Sequence, residues 1–289
     1  MMGRIDVQKE LFCEKEVRNN MELKKKRFHF IDEYRGFVLI NMVLYHAIWD
    51  LVYIFHQDWR WYKSDIAFYW QQWICWSFIF VSGFCWQMGK RKLRRGIEVF
   101  VAGIIITVAT LIFMPDSRVL FGVLTLLGSS MLLMIPCDKL FQKLQSKIPG
   151  FAFAGAIISF LLFLFVYPVN DGYLGFFEIR MIELPRELYS SMFMTYLGFP
   201  EPGFWSTDYF SILPWFFLYM TGYFAYSMMI KKRTEDISDL HSQEPTTVEK
   251  VLSKSICPPL GWIGRNSLII YMLHQPVVYG VLMVWNLIH

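Results

Sequence analysis

The sequence predicts an all-α, polytopic membrane bundle of about seven transmembrane helices, with the N-terminus cytoplasmic and the C-terminus exterior. Three observations carry this. Of 289 residues, 55% are hydrophobic and only 18% are charged, less charge than the surface of a soluble domain of this size carries. The mean hydropathy is +0.36 over the whole chain. The apolar residues also fall into blocks long enough to cross roughly 30 Å of hydrocarbon as helix.

The blocks run at about Phe30 to Phe55, Ile66 to Met88, Ile97 to Met114, Val119 to Pro136, Phe151 to Pro168, Tyr209 to Ile230 and Ser267 to Leu287. The third and fourth are close to the minimum length, so a re-entrant hairpin is an alternative there. None shows the alternating polarity of a membrane β-strand. The polar residues 1–27 precede a first block too long for a cleavable leader, so they are expected to form a cytoplasmic tail before a retained anchor. Residues 28–289 then form a single transmembrane domain.

Orientation follows from Lys and Arg. Of 28, the tail and alternate loops hold 22, including Lys24-Lys25-Lys26-Arg27 and Lys90, Arg91, Lys92, Arg94 and Arg95. The remaining loops hold five, and Arg35 lies inside the first block. This asymmetry places the tail in the cytoplasm and requires an odd number of spans. The net charge of +4 is thereby a topology and lipid-contact signal, with no nucleic-acid partner expected. Cys13, Cys75, Cys85, Cys137 and Cys257 have no metal-ligand spacing, and no metal is expected.

Two connections are long. Residues 231–261 are polar and end at Pro258-Pro259, and read as a flexible cytoplasmic linker. Residues 169–207 lie outside and are rich in aromatics, Met, Gly and Pro, a composition expected to cap the bundle and shape a substrate entrance. Gly-containing faces fit packing within one chain or between copies, so a homo-oligomer joins membrane lipids among the possible partners.

Polar groups inside the spans carry the functional argument, because each needs a partner away from water. In the first block Asp32, Arg35, His46 and Asp50 project near one stripe, with His46 roughly 16 Å beyond Arg35 along the axis. His46 and Asp50 are one turn apart, so the carboxylate is expected to orient the ring. In the last block Ser267, Tyr271 and His274 share a face, and Gln275 precedes the ladder break at Pro276. Asp208 stands at the exterior start of the sixth block, above a Trp215, Tyr219, Gly222 and Tyr226 stripe that reads as packing. Ser82-Gly83 in the second block reads as a close helix crossing. A proton-coupled transporter or channel, or a noncatalytic assembly protein, fits the same polar stripe.

The segment Ile31-Asp32-Glu33-Tyr34-Arg35-Gly36 followed by Asn41-Met42-Val43-Leu44-Tyr45-His46 resembles the opening of the membrane acyltransferases related to heparan-alpha-glucosaminide N-acetyltransferase. The similarity continues through Phe80-Val81-Ser82-Gly83, Asp208-Tyr209-Phe210 with Pro214-Trp215, and Gly264-Arg265-Asn266-Ser267-Leu268 to His274-Gln275-Pro276. The resemblance implies transfer of an acyl group, often acetyl, from cytoplasmic acyl-CoA to a hydroxyl or amine of a glycan or small polar acceptor reached from outside. It implies that His46 is the family histidine and Arg35 the arginine preceding it, with Asn266 and His274 the terminal motif. A bacterial plasma membrane is the expected location.

Residue chemistry agrees with this assignment. Arg35, Arg91, Arg94 and Arg95 suit CoA phosphates, because guanidinium binds phosphate through two parallel bonds. Asn266 joins them as a donor-site residue through the resemblance. His46 is expected to be the general base or acyl carrier, with Asp50 and His274 supporting it. Asp208, Tyr271 and Gln275 are expected to contact the acceptor, and the oxyanion donor stays open between Tyr, Asn and Gln.

Overall fold

A computed structural model of the protein describes residues 28–238 and 247–288. The tail with its Lys24–Arg27 run and the middle of the 231–261 connection lie outside the described residues. The chain is mostly helical. We number its helices α1 (His29–Trp49), α2 (Asp65–Trp86), α3 (Lys92–Phe113), α4 (Val123–Gln145), α5 (Phe151–Val166), α6 (Met192–Leu197), α7 (Ile212–Ser238), α8 (Thr247–Ser253), α9 (Pro258–Arg265) and α10 (Ser267–Ile288).

Among the described residues, five helical segments are long and apolar enough to cross a membrane: His29–Ile54, Lys92–Phe113, Val123–Gln145, Phe151–Asp171 and Ser267–Ile288. Helices α2 and α7 are as long, but Trp and Tyr in both, with Gln71 and Gln72 in α2, dilute their hydropathy. The short third and fourth blocks are full helices of 22 and 23 residues that pack along each other, where a re-entrant hairpin had been an alternative. The fourth extends nine residues beyond its expected edge and continues through Pro136. A proline in a helix interior removes one ladder bond, and the tight packing around α4 tolerates that loss.

Helix α4 is the most enclosed span and touches α3, α5 and α7. The core gathers Val38 and Leu39 of α1, Ile79 of α2, Leu126 and Met134 of α4, Phe163 of α5, and Tyr219 and Tyr223 of α7. Around it, Ile104, Ile105, Val108 and Ile112 of α3 and Val277, Val281 and Val284 of α10 remain exposed. An apolar outer surface of this kind belongs against lipid. Ser82-Gly83 marks a close crossing, as its composition suggests. A Cβ on Gly83 would strike the Tyr219 carbonyl, and one on Gly222 the Phe80 carbonyl, so α2 and α7 touch backbone to backbone.

The structure differs from the sequence reading in the connections. Residues 169–207 contain an antiparallel hairpin, β1 (Tyr173–Phe176) and β2 (Ile179–Glu183), so the fold is not purely helical. The same stretch contains α6, whose Tyr196 hydroxyl meets Ser129 of α4. Tyr209 donates to the Thr195 carbonyl at 2.5 Å. These contacts hold the loop over one end of the bundle. In the 231–261 connection, the described residues include α8, the end of α7 and the start of α9, with a non-helical stretch at 254–257. Pro258 and Pro259 begin α9, where their fixed φ and missing N–H suit the first turn.

Candidate active site

At the end of the bundle carrying the α2–α3 loop, a cavity of about 500 Å³ opens between α1, α2, α3, α4, α9 and α10. Lys90, Arg91, Lys92, Arg94, Arg95 and Arg265 line it near the loop, with Arg35 farther in. Its inner wall includes Ser77, Phe78, Leu124 and Tyr271. The cavity is therefore cationic near the loop and largely apolar at depth.

Not every cation in it is equivalent. Lys92 is tied to Asp138 of α4 at 3.1 Å and lies 3.7 Å above the Trp86 ring centroid. Asp138 also accepts from Tyr223 at 2.7 Å and Gln142 at 3.0 Å, so this network fixes the start of α3. Arg94 pairs with Glu98 at 2.7 Å on an exposed surface. Among the described residues, Arg91, Arg95 and Arg265 line the cavity without a carboxylate in ion-pair range. Arg35 donates to Ser267 at the start of α10 at 2.5 Å. Arg265 had counted toward charge asymmetry and the family resemblance but not as a donor-site residue, and its place in the wall became visible only once α9 was folded.

Helix α9 is held tightly against α1. A Cβ on Gly36 would meet the Leu260 carbonyl, and one on Gly264 the Asp32 carbonyl. Buried Glu33 accepts from Ser255 Oγ at 2.5 Å and from the Ile256 N–H at 2.9 Å, docking the segment before α9. Asn266 is not in the cavity lining. It ends α9, donating its side-chain amide to the Trp262 carbonyl at 2.9 Å, and so shapes the corner into α10.

Beyond the cavity, α1 and α10 hold a second group of residues. The pairs Arg35–Ser267 and Asp50–Gln275, with the facing rings of His46 and His274 between them, follow the same order along both helices, so α1 and α10 run parallel. The two imidazole centroids are 4.9 Å apart at an interplanar angle of 57°. The expected His46–Asp50 contact is absent. At Asp50 the helix widens into a π turn, Asp50–Ile54, which swings the carboxylate toward α10, where Gln275 donates to it at 2.8 Å.

Among the described residues, five buried side-chain polar atoms lack a hydrogen-bond partner, and three belong to this cluster: Asp50 Oδ2, His274 Nε2 and Gln275 Oε1. Their roles can be assigned. Asp50 is 0% exposed, and its second carboxyl oxygen keeps lone pairs to offer. The Gln275 amide nitrogen is committed to Asp50 Oδ1, which leaves its oxygen as an acceptor. His274 Nδ1 lies 2.5 Å from the Tyr271 carbonyl and must carry the proton, so Nε2 holds a lone pair. All three atoms accept hydrogen bonds, and burying unpaired acceptors is costly. The arrangement calls for a guest rich in N–H or O–H groups.

Tyr271 separates the two regions. Its side chain lines the inner cavity, and its hydroxyl lies 3.4 Å from Asp208 Oδ2. The same Asp208 oxygen accepts from the Val123 N–H at 3.1 Å, placing a carboxyl group at the start of α4. Asp208 thus ties together a helix start and Tyr271. We expect Asp208→Ala to destabilise the fold by about 1 kcal/mol through the lost helix-start contact, read as a lower melting temperature in detergent. His46 is not among the residues that line the cavity, whereas Tyr271 is. No group of three or more His, Cys, Asp and Glu side chains able to share a metal ion occurs among the described residues.

A cationic recess and a half-buried imidazole pair thus lie within one helical bundle. Over residues 27–276 the chain matches the family model described as heparan-alpha-glucosaminide N-acetyltransferase, catalytic. The protein belongs to that family and is an integral-membrane, acyl-CoA-dependent acyltransferase. The match spans α1 through Pro276 and so includes every residue of the cavity and of the α1–α10 cluster. No curated protein and no solved structure gave a significant match.

Proposed function

We propose that the protein transfers an acetyl group from cytoplasmic acetyl-CoA to a primary amine on a glycan presented from the opposite side of a bacterial plasma membrane. The observation that carries the choice of acceptor is the set of orphaned acceptors at Asp50, Gln275 and His274. A hydroxyl brings one hydrogen to these three atoms, whereas a neutral primary amine brings two and keeps the lone pair that the transfer needs. The printed family description, an N-acetyltransferase, agrees with that preference.

In this reading seven helices span the membrane, and the parallel course of α1 and α10 supports an odd number. The free arginines hold the CoA phosphates, and the pantetheine arm extends along α1 toward His46, eleven residues and about 16 Å past Arg35. To reach it, the thioester must pass Tyr271. His46 accepts a proton as the amine nitrogen bonds to the thioester carbonyl carbon. The C–S bond breaks, and the proton passes to the departing thiolate. His46 can also carry the acetyl group between two half-reactions.

The test uses proteoliposomes with labelled acetyl-CoA on the Lys92 side and glucosamine, or its 2-hydroxy analogue glucose, on the other. Label is expected on the amine and at most weakly on glucose. Equal labelling of both sugars would refute the amine preference. Cysteines placed at Lys92 and Arg186 are expected to react with impermeant reagents from opposite faces, and reaction from one face would overturn the orientation.

A further inference from the structure

The β1–β2 hairpin exposes more apolar surface than its own contacts account for. Helix α5 begins soon after α4 ends, on the side of the bundle where Lys92 meets Asp138, and so finishes at the other end. A tight turn at Tyr167–Asp171 leads into β1, and the ring of its last residue, Phe176, lies 5.4 Å from the ring of Phe165 in the last turn of α5. The hairpin has thus folded back beside the span it follows. Phe165 continues a helix face that carries Ile158, Leu161 and Leu162, which are 56%, 49% and 37% exposed, so the hairpin sits at the end of a lipid-facing stripe.

The tip and the second strand carry the apolar groups outward. Phe177 is 76% exposed, Ile179 68% and Met181 61%. Phe177 holds φ at +52°, a left-handed conformation that costs a bulky residue energy, and the Tyr173 hydroxyl fixes this turn by donating to the Phe177 carbonyl at 3.0 Å. Left in water, an apolar strand of this kind is an aggregation site, so it calls for a cover. The depth of that cover has a limit. The sheet has only two strands, and its outer edges keep backbone N–H and C=O groups that hydrocarbon cannot satisfy. Glu178 and Arg180 also stand exposed among the apolar side chains and need water or headgroups. Apolar side chains and a polar edge are satisfied together at the headgroup and glycerol level, where a guanidinium can meet lipid phosphate.

We propose that the β1–β2 hairpin is a phospholipid-binding anchor, seated in the headgroup layer of the leaflet opposite the basic cavity. Phe177, Ile179 and Met181 enter the upper acyl chains, and Arg180 pairs with lipid phosphate. The continuity with the exposed stripe of α5 favours lipid over a second copy of the chain as the occupant. This stands apart from the transfer chemistry and needs only the membrane bundle.

The test places the photoreactive residue p-benzoylphenylalanine at Phe177, at Met181 and, as a control, at Glu187, an exposed acidic position farther along the same loop. Each full-length protein is reconstituted into vesicles of phosphatidylcholine and phosphatidylglycerol, illuminated, and weighed by mass spectrometry. The two hairpin positions are expected to gain the mass of one phospholipid, and the Glu187 position to gain none. Because both hairpin side chains point away from the fold, the two labelled proteins should melt with the native one, and either serves alone if the other does not fold. The proposal is overturned if neither hairpin position gains lipid, or if both join two copies of the chain instead. It is equally overturned if the Glu187 position gains lipid to the same extent, since the hairpin would then be no deeper than the rest of the loop.

Discussion

Replacing His46 with alanine is expected to lower acetyl transfer by about a thousandfold or more, the combined scale of losing a positioned base and a potential acyl carrier. Acetyl-CoA binding should stay near the native level, because His46 lies outside the cationic cavity. The purely structural alternative is that His46 and His274 only pack α1 against α10. That alternative predicts a lower melting temperature with activity recovering in a His46→Gln protein, since glutamine can keep a polar contact but cannot take up a proton near neutral pH. Measuring turnover, donor affinity and melting temperature on the two variants separates the readings. Full activity in His46→Gln would remove His46 from the chemistry.

The second large effect is expected from Gly36→Val or Gly264→Val. Each side chain would be driven into a backbone carbonyl of the facing helix, Leu260 for Gly36 and Asp32 for Gly264, and backbone cannot rotate aside as a side chain can. Overpacking of this kind costs about 1 to 3 kcal/mol or more. Because Arg35 follows Tyr34 into the cavity wall and Arg265 ends α9, separating the two helices should also weaken acetyl-CoA binding. Gly280→Ala is the control: a Cβ there meets nothing, and alanine favours helix. Melting temperature and donor affinity should both fall in the valine variants and hold in the control. Native donor affinity in Gly264→Val would show that α9 does not shape the cavity.

Much of this architecture was legible because hydropathy and aromatic content vary along the chain in helix-length blocks. Even α2 and α7, whose Trp and Tyr lower their hydropathy, stood out by length. The polar residues of α1 and α10 were legible for a related reason: Arg35, His46, His274 and Gln275 interrupt surfaces that lipid would otherwise claim. What spacing could not give was rotation and partnership. A regular helix puts Asp50 under His46, but the π turn hands it to Gln275. Asn266 carries the polar amide of a binding residue, yet it closes α9. Helix α9 itself was hidden in a polar connection, since its docking depends on Gly36 and Glu33 more than two hundred residues earlier. The β1–β2 hairpin was missed because its strands are only four and five residues long and sit in a loop read for composition alone.

The parallel pairing of α1 and α10 also has a bearing on biosynthesis. Asp50 and Gln275 meet across 225 residues of sequence, and the imidazole pair is made from the same two helices. During translation α1 enters the membrane long before α10 leaves the ribosome. If the imidazole pair is the reactive centre, as proposed, a nascent chain that has gathered most of its arginines stays chemically silent until its final helix inserts.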